Sequence, residues 1–157
     1  QRGTEIYGQE ENELLGAYHG AVDINDTRNT IVIGSTENEE GNGRVRVFDW
    51  NGSTWVQRGS NIDGVIDGAI MGYYVSLSND GNTISSAVKV TGKTTARVYD
   101  WNGNTWVQRG IDIMETTSTG NPYSSLSGNG KTIGIGQWDG STVDVDKAGE
   151  IRIYDWK

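Results

Sequence analysis

Cysteine is absent from this 157-residue chain, which removes disulfide frameworks and thiolate metal sites together. Proline and histidine each occur once. The lone histidine, His19, has no second imidazole or thiol with which to form a ligand set. Its "YHG" setting is no hydrolase motif, so it reads as a packed or connecting residue. Basic residues are outnumbered, 13 Lys and Arg against 21 Asp and Glu, giving a formal net charge of −8. Such a chain offers no basic patch for nucleic acid or an anionic membrane. No apolar run reaches membrane-spanning length, so no membrane insertion is expected. No secretory leader opens the sequence, and a secreted form would be mature or partial. No glycine loop leads into a helix to cradle phosphate. The carboxylate pairs Glu39/Glu40 and Asp144/Asp146 lie in charged loops, where solvation is their ordinary role. Two carboxylates can converge from distant loops in a glycosidase, but nothing local supports that. The chain reads as a non-enzyme without a cofactor.

What is abundant is glycine, 23 residues, together with 6 tryptophans and 7 tyrosines. A turn-rich chain with aromatic anchors leans all-β. An internal repeat decides the class. "RVFDW" (46–50), "RVYDW" (97–101) and "RIYDW" (152–156) follow "AVDINDTRNTIVIGS" (21–35), "YVSLSNDGNTISSAV" (74–88) and "YSSLSGNGKTIGIGQ" (123–137). One 157-residue domain therefore divides into three units, near 4–59, 60–110 and 111–157. Each unit predicts four short antiparallel strands, in the first unit near 21–25, 30–35, 44–50 and 54–59, with no long helix. Four-stranded units at this period are the pattern of a β-propeller-like array of blades. Large residues on both faces of "RVRVFDW" fit a sheet held between two others.

The phrase "DWNGSTWVQRG" (49–59) recurs as "DWNGNTWVQRG" (100–110). Placing Asn51-Gly52 at the centre of a two-residue hairpin turn sets Trp50 opposite Ser53, Phe48 opposite Trp55 and Gln57 opposite Arg46. The second unit then pairs Tyr99 with Trp106. On this reading the tryptophans lock hairpins, and the rival use is as sugar-stacking platforms.

These motifs resemble two repeat families. "AVDINDTRNTIVIGS" followed by "GRVRVFDW" is similar to the FG-GAP repeat of integrin-type propellers. The tandem "VRVYDWNG…WVQRG" pattern resembles repeats in large surface proteins of algae, oomycetes and marine bacteria. The resemblance spans all three units and implies an extracellular or cell-surface β-propeller-like module used in adhesion or surface architecture. FG-GAP loops often hold calcium, and the matching positions here are Asp23, Asn25 and Thr27. Calcium asks for six or more oxygens, several of them carboxylate. These loops offer one carboxylate at most at the matched positions, so Asx-type turns are the better reading. Two glycosylation sequons begin at Asn25 and Asn51. Both fall on predicted turns, where a glycan would be solvent-exposed.

The third unit has "RIYDW" but no "TWVQRG" after it, and the chain opens on "QRG". Residues 1–3 therefore read as the tail of an outer strand that completes another unit, the last unit lacking that strand in cis. The expected donor is another copy. Its Gln1, Arg2 and Gly3 would pair along Ile151, Arg152, Ile153, Tyr154 and Trp156, with Ile6 and Tyr7 adding packing. Carrying the expected hairpin register over puts Gln1 opposite Arg152 and Arg2 opposite Ile151. Head-to-tail addition yields a filament or a multi-blade ring. The functional expectation is thus a non-enzymatic structural or adhesive repeat protein that assembles with itself. The alternative is a carbohydrate-binding propeller lectin whose partners are glycans, with Trp138 and Tyr18 in equivalent exposed pockets.

Overall fold

The computed structural model describes residues 1–17, 20–38, 41–64, 70–90, 93–116, 123–137 and 149–156. The described residues hold thirteen strands and no helix, in three antiparallel sheets. The first sheet runs β1 (Val22–Ile24), β2 (Thr30–Ser35), β3 (Arg44–Trp50) and β4 (Trp55–Gln57), and β5 (Ile62–Asp63) also pairs with β3. The second has β6 (Ile70–Leu77), β7 (Thr83–Val90) and β8 (Lys93–Trp101), with β9 (Trp106–Gln108) and β10 (Ile113–Thr116) both on β8. The third has β11 (Tyr123–Leu126), β12 (Thr132–Gln137) and β13 (Glu150–Asp155). The repeat thus folds as all-β units.

Two details depart from the sequence expectation. The outer edge is not one strand but two short ones laid end to end. β4 pairs with the Phe48–Trp50 end of β3, and β5 with Arg44 and Val45. The first sheet therefore runs to Asp63 and the second to Thr116, past the boundaries at 59 and 110.

The hairpin register also differs by two residues. Trp50 lies opposite Trp55, Asp49 opposite Val56 and Phe48 opposite Gln57. In the second sheet Trp101 faces Trp106 and Tyr99 faces Gln108. The cause is the Asn51 side chain. Its Oδ1 accepts from the Ser53 and Thr54 amides, each at 2.9 Å, while Asn51 N donates to Thr54 O at 3.1 Å. Asn51 is thereby held in the ladder, and the turn centre moves to Gly52-Ser53. Gly52 has φ +102°, and glycine at the first central position is what a primed hairpin turn accepts. Asn102 and Gly103 repeat the device. The tryptophans consequently pair with each other, with ring centroids 5.3 Å apart in both hairpins.

The sheets stack in chain order. β6 packs against β1, β2 and β3, and β11 against β6 and β7. One core cluster joins Val45 and Val47 of the first sheet to Val75 and Leu77 of the second. A second joins Ala96 and Val98 to Leu126, Ile133 and Ile135 of the third. The middle sheet is therefore buried on both faces, as the sequence of its strands requires. Side chains also tie the sheets through backbone groups. Asp23 Oδ2 accepts from Leu77 N at 2.8 Å, and at the equivalent position Ser76 Oγ accepts from Leu126 N at 3.1 Å.

Candidate functional site

The repeated Gln-Arg-Gly that follows each outer strand is the joint between neighbouring sheets. Arg58 N donates to Val47 O at 2.8 Å, which keeps Arg58 in the first sheet's ladder. Its guanidinium takes Asp49 of the same sheet at 2.5 Å and the Gly81 carbonyl of the next at 2.7 Å. It also lies over the Trp101 ring, 5.8 Å from the centroid. Gly59 follows, so close to Trp101 that a Cβ there would sit 2.7 Å from the ring. Trp106 Nε1 donates to Arg58 O at 3.0 Å. Arg109 repeats the arrangement one sheet on. It binds Asp100 through two nitrogens at 2.7 and 2.5 Å, the Gly130 carbonyl at 2.5 Å and the Trp156 ring at 4.9 Å. A bidentate guanidinium–carboxylate pair with a cation–π contact is a directional connection. A threonine completes each cluster, Thr30 on Asp49 at 2.8 Å and Thr83 on Asp100 at 2.9 Å.

Arg2 and Gly3 dock on the first sheet as Arg58 and Gly59 dock on the second. The Arg2 guanidinium donates to the Arg28 carbonyl and, at 2.7 Å, to Asn29 Oδ1. It lies 4.5 Å from the Trp50 ring centroid. Trp55 Nε1 donates to Arg2 O at 3.2 Å, and a Cβ on Gly3 would meet Trp50 at 2.7 Å. Among the described residues, however, Arg2 has no carboxylate, and residues 1–3 belong to no strand.

The third sheet shows the converse. Asp155 accepts from Thr132 Oγ1 at 2.6 Å, as Asp49 and Asp100 accept from their threonines, but no arginine among the described residues reaches it. No described strand lies on the outer side of β13. Ile151 and Ile153, the counterparts of Val45 and Val47, are 78% and 70% exposed. Tyr154 and Trp156 are half-buried against the second core cluster. Ile6 is half-buried, and Tyr7 is exposed with its carbonyl accepting from Arg46 at 3.1 Å.

The other positions singled out in the sequence take structural places. Asn25 is buried, 5% exposed, contrary to the solvent-exposed position expected of a sequon. Its Oδ1 accepts from the Asn29 and Thr30 amides, and its Nδ2 donates to Thr27 Oγ1 and to the Asn79 carbonyl of the next sheet. The residue closes its own turn and touches the neighbouring sheet, which buries it. Asp23 spends Oδ1 on Ile24 N and Oδ2 on Leu77 N. Asn51 is exposed at its turn. Tyr18, His19, Glu39, Glu40, Trp138, Asp144 and Asp146 lie outside the described residues.

Charge also organises the outer edges. Arg97 is buried and binds Asp112 through Nε and NH2 at 2.8 and 2.9 Å. This Arg97 contact, ahead of the opposing effect of burial, holds the Asp112 carboxyl below the ordinary aspartate range. A depressed carboxylate stabilises the fold above its unfolded pKa. That contribution fades as pH falls below about 4. Replacing Asp112 with Asn should cost about 2 kcal/mol at neutral pH and flatten the acid limb of the stability curve. Urea melts between pH 3 and 7 check this, and parallel curves for the two proteins would refute it.

Comparison with known proteins finds no matching family model and no significantly similar curated protein.

Proposed function

We propose that this chain is a structural or adhesive repeat module of the cell exterior, its sheets acting as propeller-like blades, and that it assembles with copies of itself by strand addition. One observation carries the reading. Arg2-Gly3 occupies on the first sheet the seat that Arg58-Gly59, an outer-strand tail, occupies on the second. The segment thus has the shape of a tail that belongs to a preceding unit. Asp155 and the outer side of β13 present the groups that such a tail binds on the other sheets.

The observed hairpin register replaces the expected one at this junction. Counting from Phe48 opposite Gln57 puts Gln1 opposite Tyr154 and Arg2 opposite Ile153 of the receiving copy. Arg2 then meets Asp155 as Arg58 meets Asp49. Main-chain hydrogen bonds supply affinity, and the arginine fixes register. An edge strand left open is otherwise an association hazard. Donor and acceptor are different surfaces, so each copy gives one strand and receives one. A filament or a closed ring follows, according to the rotation per step. The extracellular setting is supported by the resemblance to surface-protein repeats and by the exposed sequon at Asn51.

Removing residues 1–7 should reduce the native particle to a monomer. Sedimentation of the full chain and the truncated chain at equal concentration makes the comparison. A truncated chain with the full chain's assembled mass would defeat the proposal.

A further inference from the structure

Two apolar faces remain open at opposite ends of the stack. Ile151 and Ile153 are exposed on the third sheet, at the positions where Val45 and Val47 of the first sheet, and Ala96 and Val98 of the second, pack onto the next sheet. Val22 and Ile24 are 55% and 49% exposed on the first sheet. Their counterparts Val75 and Leu77, and Leu126 in the third sheet, are the residues that receive such packing. Contiguous exposed apolar residues of this kind mark interaction surfaces. Here the two faces are the two halves of a contact that the molecule already makes twice.

A charged residue sits beside each face at matching positions. In the second sheet Asp112, four residues after Gln108, pairs with Arg97 across the edge and accepts from Gln108 Nε2 at 2.9 Å. In the first, Asn61 accepts from Gln57 Nε2 at 2.9 Å. Glu5 holds the same place in the N-terminal segment, four residues after Gln1, and is exposed. The counterpart of Arg97 in the third sheet is Arg152, exposed and paired with Glu150 of its own strand. Counting from Ala96 opposite Ile113 places Ile6 opposite Ile151 and Glu5 opposite Arg152.

We infer that the open face of the third sheet takes the first sheet of a second copy, by the step that already joins neighbouring sheets, with Glu5 of the incoming copy on Arg152 of the receiving copy. This interface rests on the strand-addition reading and adds its stacking face and the charge pair that selects the partner. Ile151 and Ile153 pack on Val22 and Ile24 of the second copy, and Ser125 Oγ stands where Ser76 Oγ receives an amide of the following sheet. A like charge at either position disfavours the contact, so the pair acts on specificity as well as affinity.

The test is a charge exchange followed by mixing. Glu5→Arg copies alone, and Arg152→Glu copies alone, should associate at least tenfold more weakly than the wild type in sedimentation, with unchanged thermal melts. An equimolar mixture of the two should recover assembly, because each junction in an alternating array then joins opposite charges. A chain carrying both substitutions should recover it too. Single variants that assemble like the wild type overturn this interface and leave strand addition standing. Single variants that fail without recovery on mixing overturn it as well. A wild-type chain that stays monomeric at every concentration defeats strand addition itself.

Discussion

Replacing Glu13 with Ala will destabilise the fold by about 3–5 kcal/mol, the cost of leaving a buried charge without its counterion. Glu13 and Arg46 are buried together, at 0% and 2% side-chain exposure, with Arg46 NH2 and Glu13 Oε1 2.9 Å apart. Burial pushes the Arg46 guanidinium down from the ordinary arginine range, against the attraction of Glu13. Glu13 Oε1 also accepts from Ser35 Oγ at 2.7 Å, and Oε2 from the Gln9 amide at 2.5 Å. Losing the carboxylate would leave Arg46 with the Tyr7 carbonyl and the Phe48 ring, while Arg46 Nε already has no acceptor among the described residues. Glu13→Gln should recover part of the loss by keeping one acceptor oxygen, which can take Ser35 Oγ and Arg46, while its amide nitrogen can no longer accept from the Gln9 amide. Urea unfolding of the three proteins decides, and a loss below about 1 kcal/mol for Glu13→Ala would mean that the arginine finds water.

Gly34→Ala should be as damaging for a different reason. The first two sheets touch here backbone to backbone. A Cβ on Gly34 would fall 2.2 Å from the Gly72 carbonyl oxygen and 2.8 Å from its carbon. Gly72 cannot retreat freely, because it is itself wedged against the Arg44 carbonyl and Ser35, with φ +83°. Relief requires separating the sheets that enclose Val32, Val45, Val47, Met71 and Val75. Overpacking ordinarily costs 1–3 kcal/mol, and a clash with fixed backbone on both sides should reach about 3 kcal/mol or more. Gly134, in the third sheet's central strand, has no atom within 4 Å of a Cβ. Gly134→Ala should therefore be neutral, or stabilising by up to about 1 kcal/mol through the unfolded chain. Equal melting shifts for the two substitutions would refute the close-contact account.

The strands were legible because the repeat writes the same alternating pattern three times and turn residues bracket each copy. β2 and β3 begin and end where "TIVIGS" and "RVRVFDW" do. The register was not legible from the Asn-Gly pair alone. An asparagine side chain that accepts amides from within the turn shifts its centre by one residue, and so every pairing by two. Asn25 looked like a surface turn because its partner, the Asn79 carbonyl, is 54 residues away on another sheet. Glu13 and Arg46 were invisible as a pair for the same reason. An acidic residue in a polar leading segment reads as solvated until the sheet beneath it supplies a buried arginine. Arg2 was read as part of a strand. Its seat on Trp50 and the Arg28 carbonyl belongs to the stacking of units, which no single repeat encodes.

Strand addition between copies is the central claim, and its register is testable directly because the chain has no cysteine. Arg58 N bonding to Val47 O makes the neighbouring Phe48–Gln57 pair a non-hydrogen-bonded one, where Cα atoms lie about 4.5 Å apart. That spacing admits a disulfide. Copies carrying Gln1→Cys should be mixed with copies carrying Tyr154→Cys, oxidised mildly and resolved by mass. The account predicts a crosslinked heterodimer from that pair and little from Gln1→Cys with Arg152→Cys. Failure of the first pair to crosslink, or preferential crosslinking of the second, would contradict it.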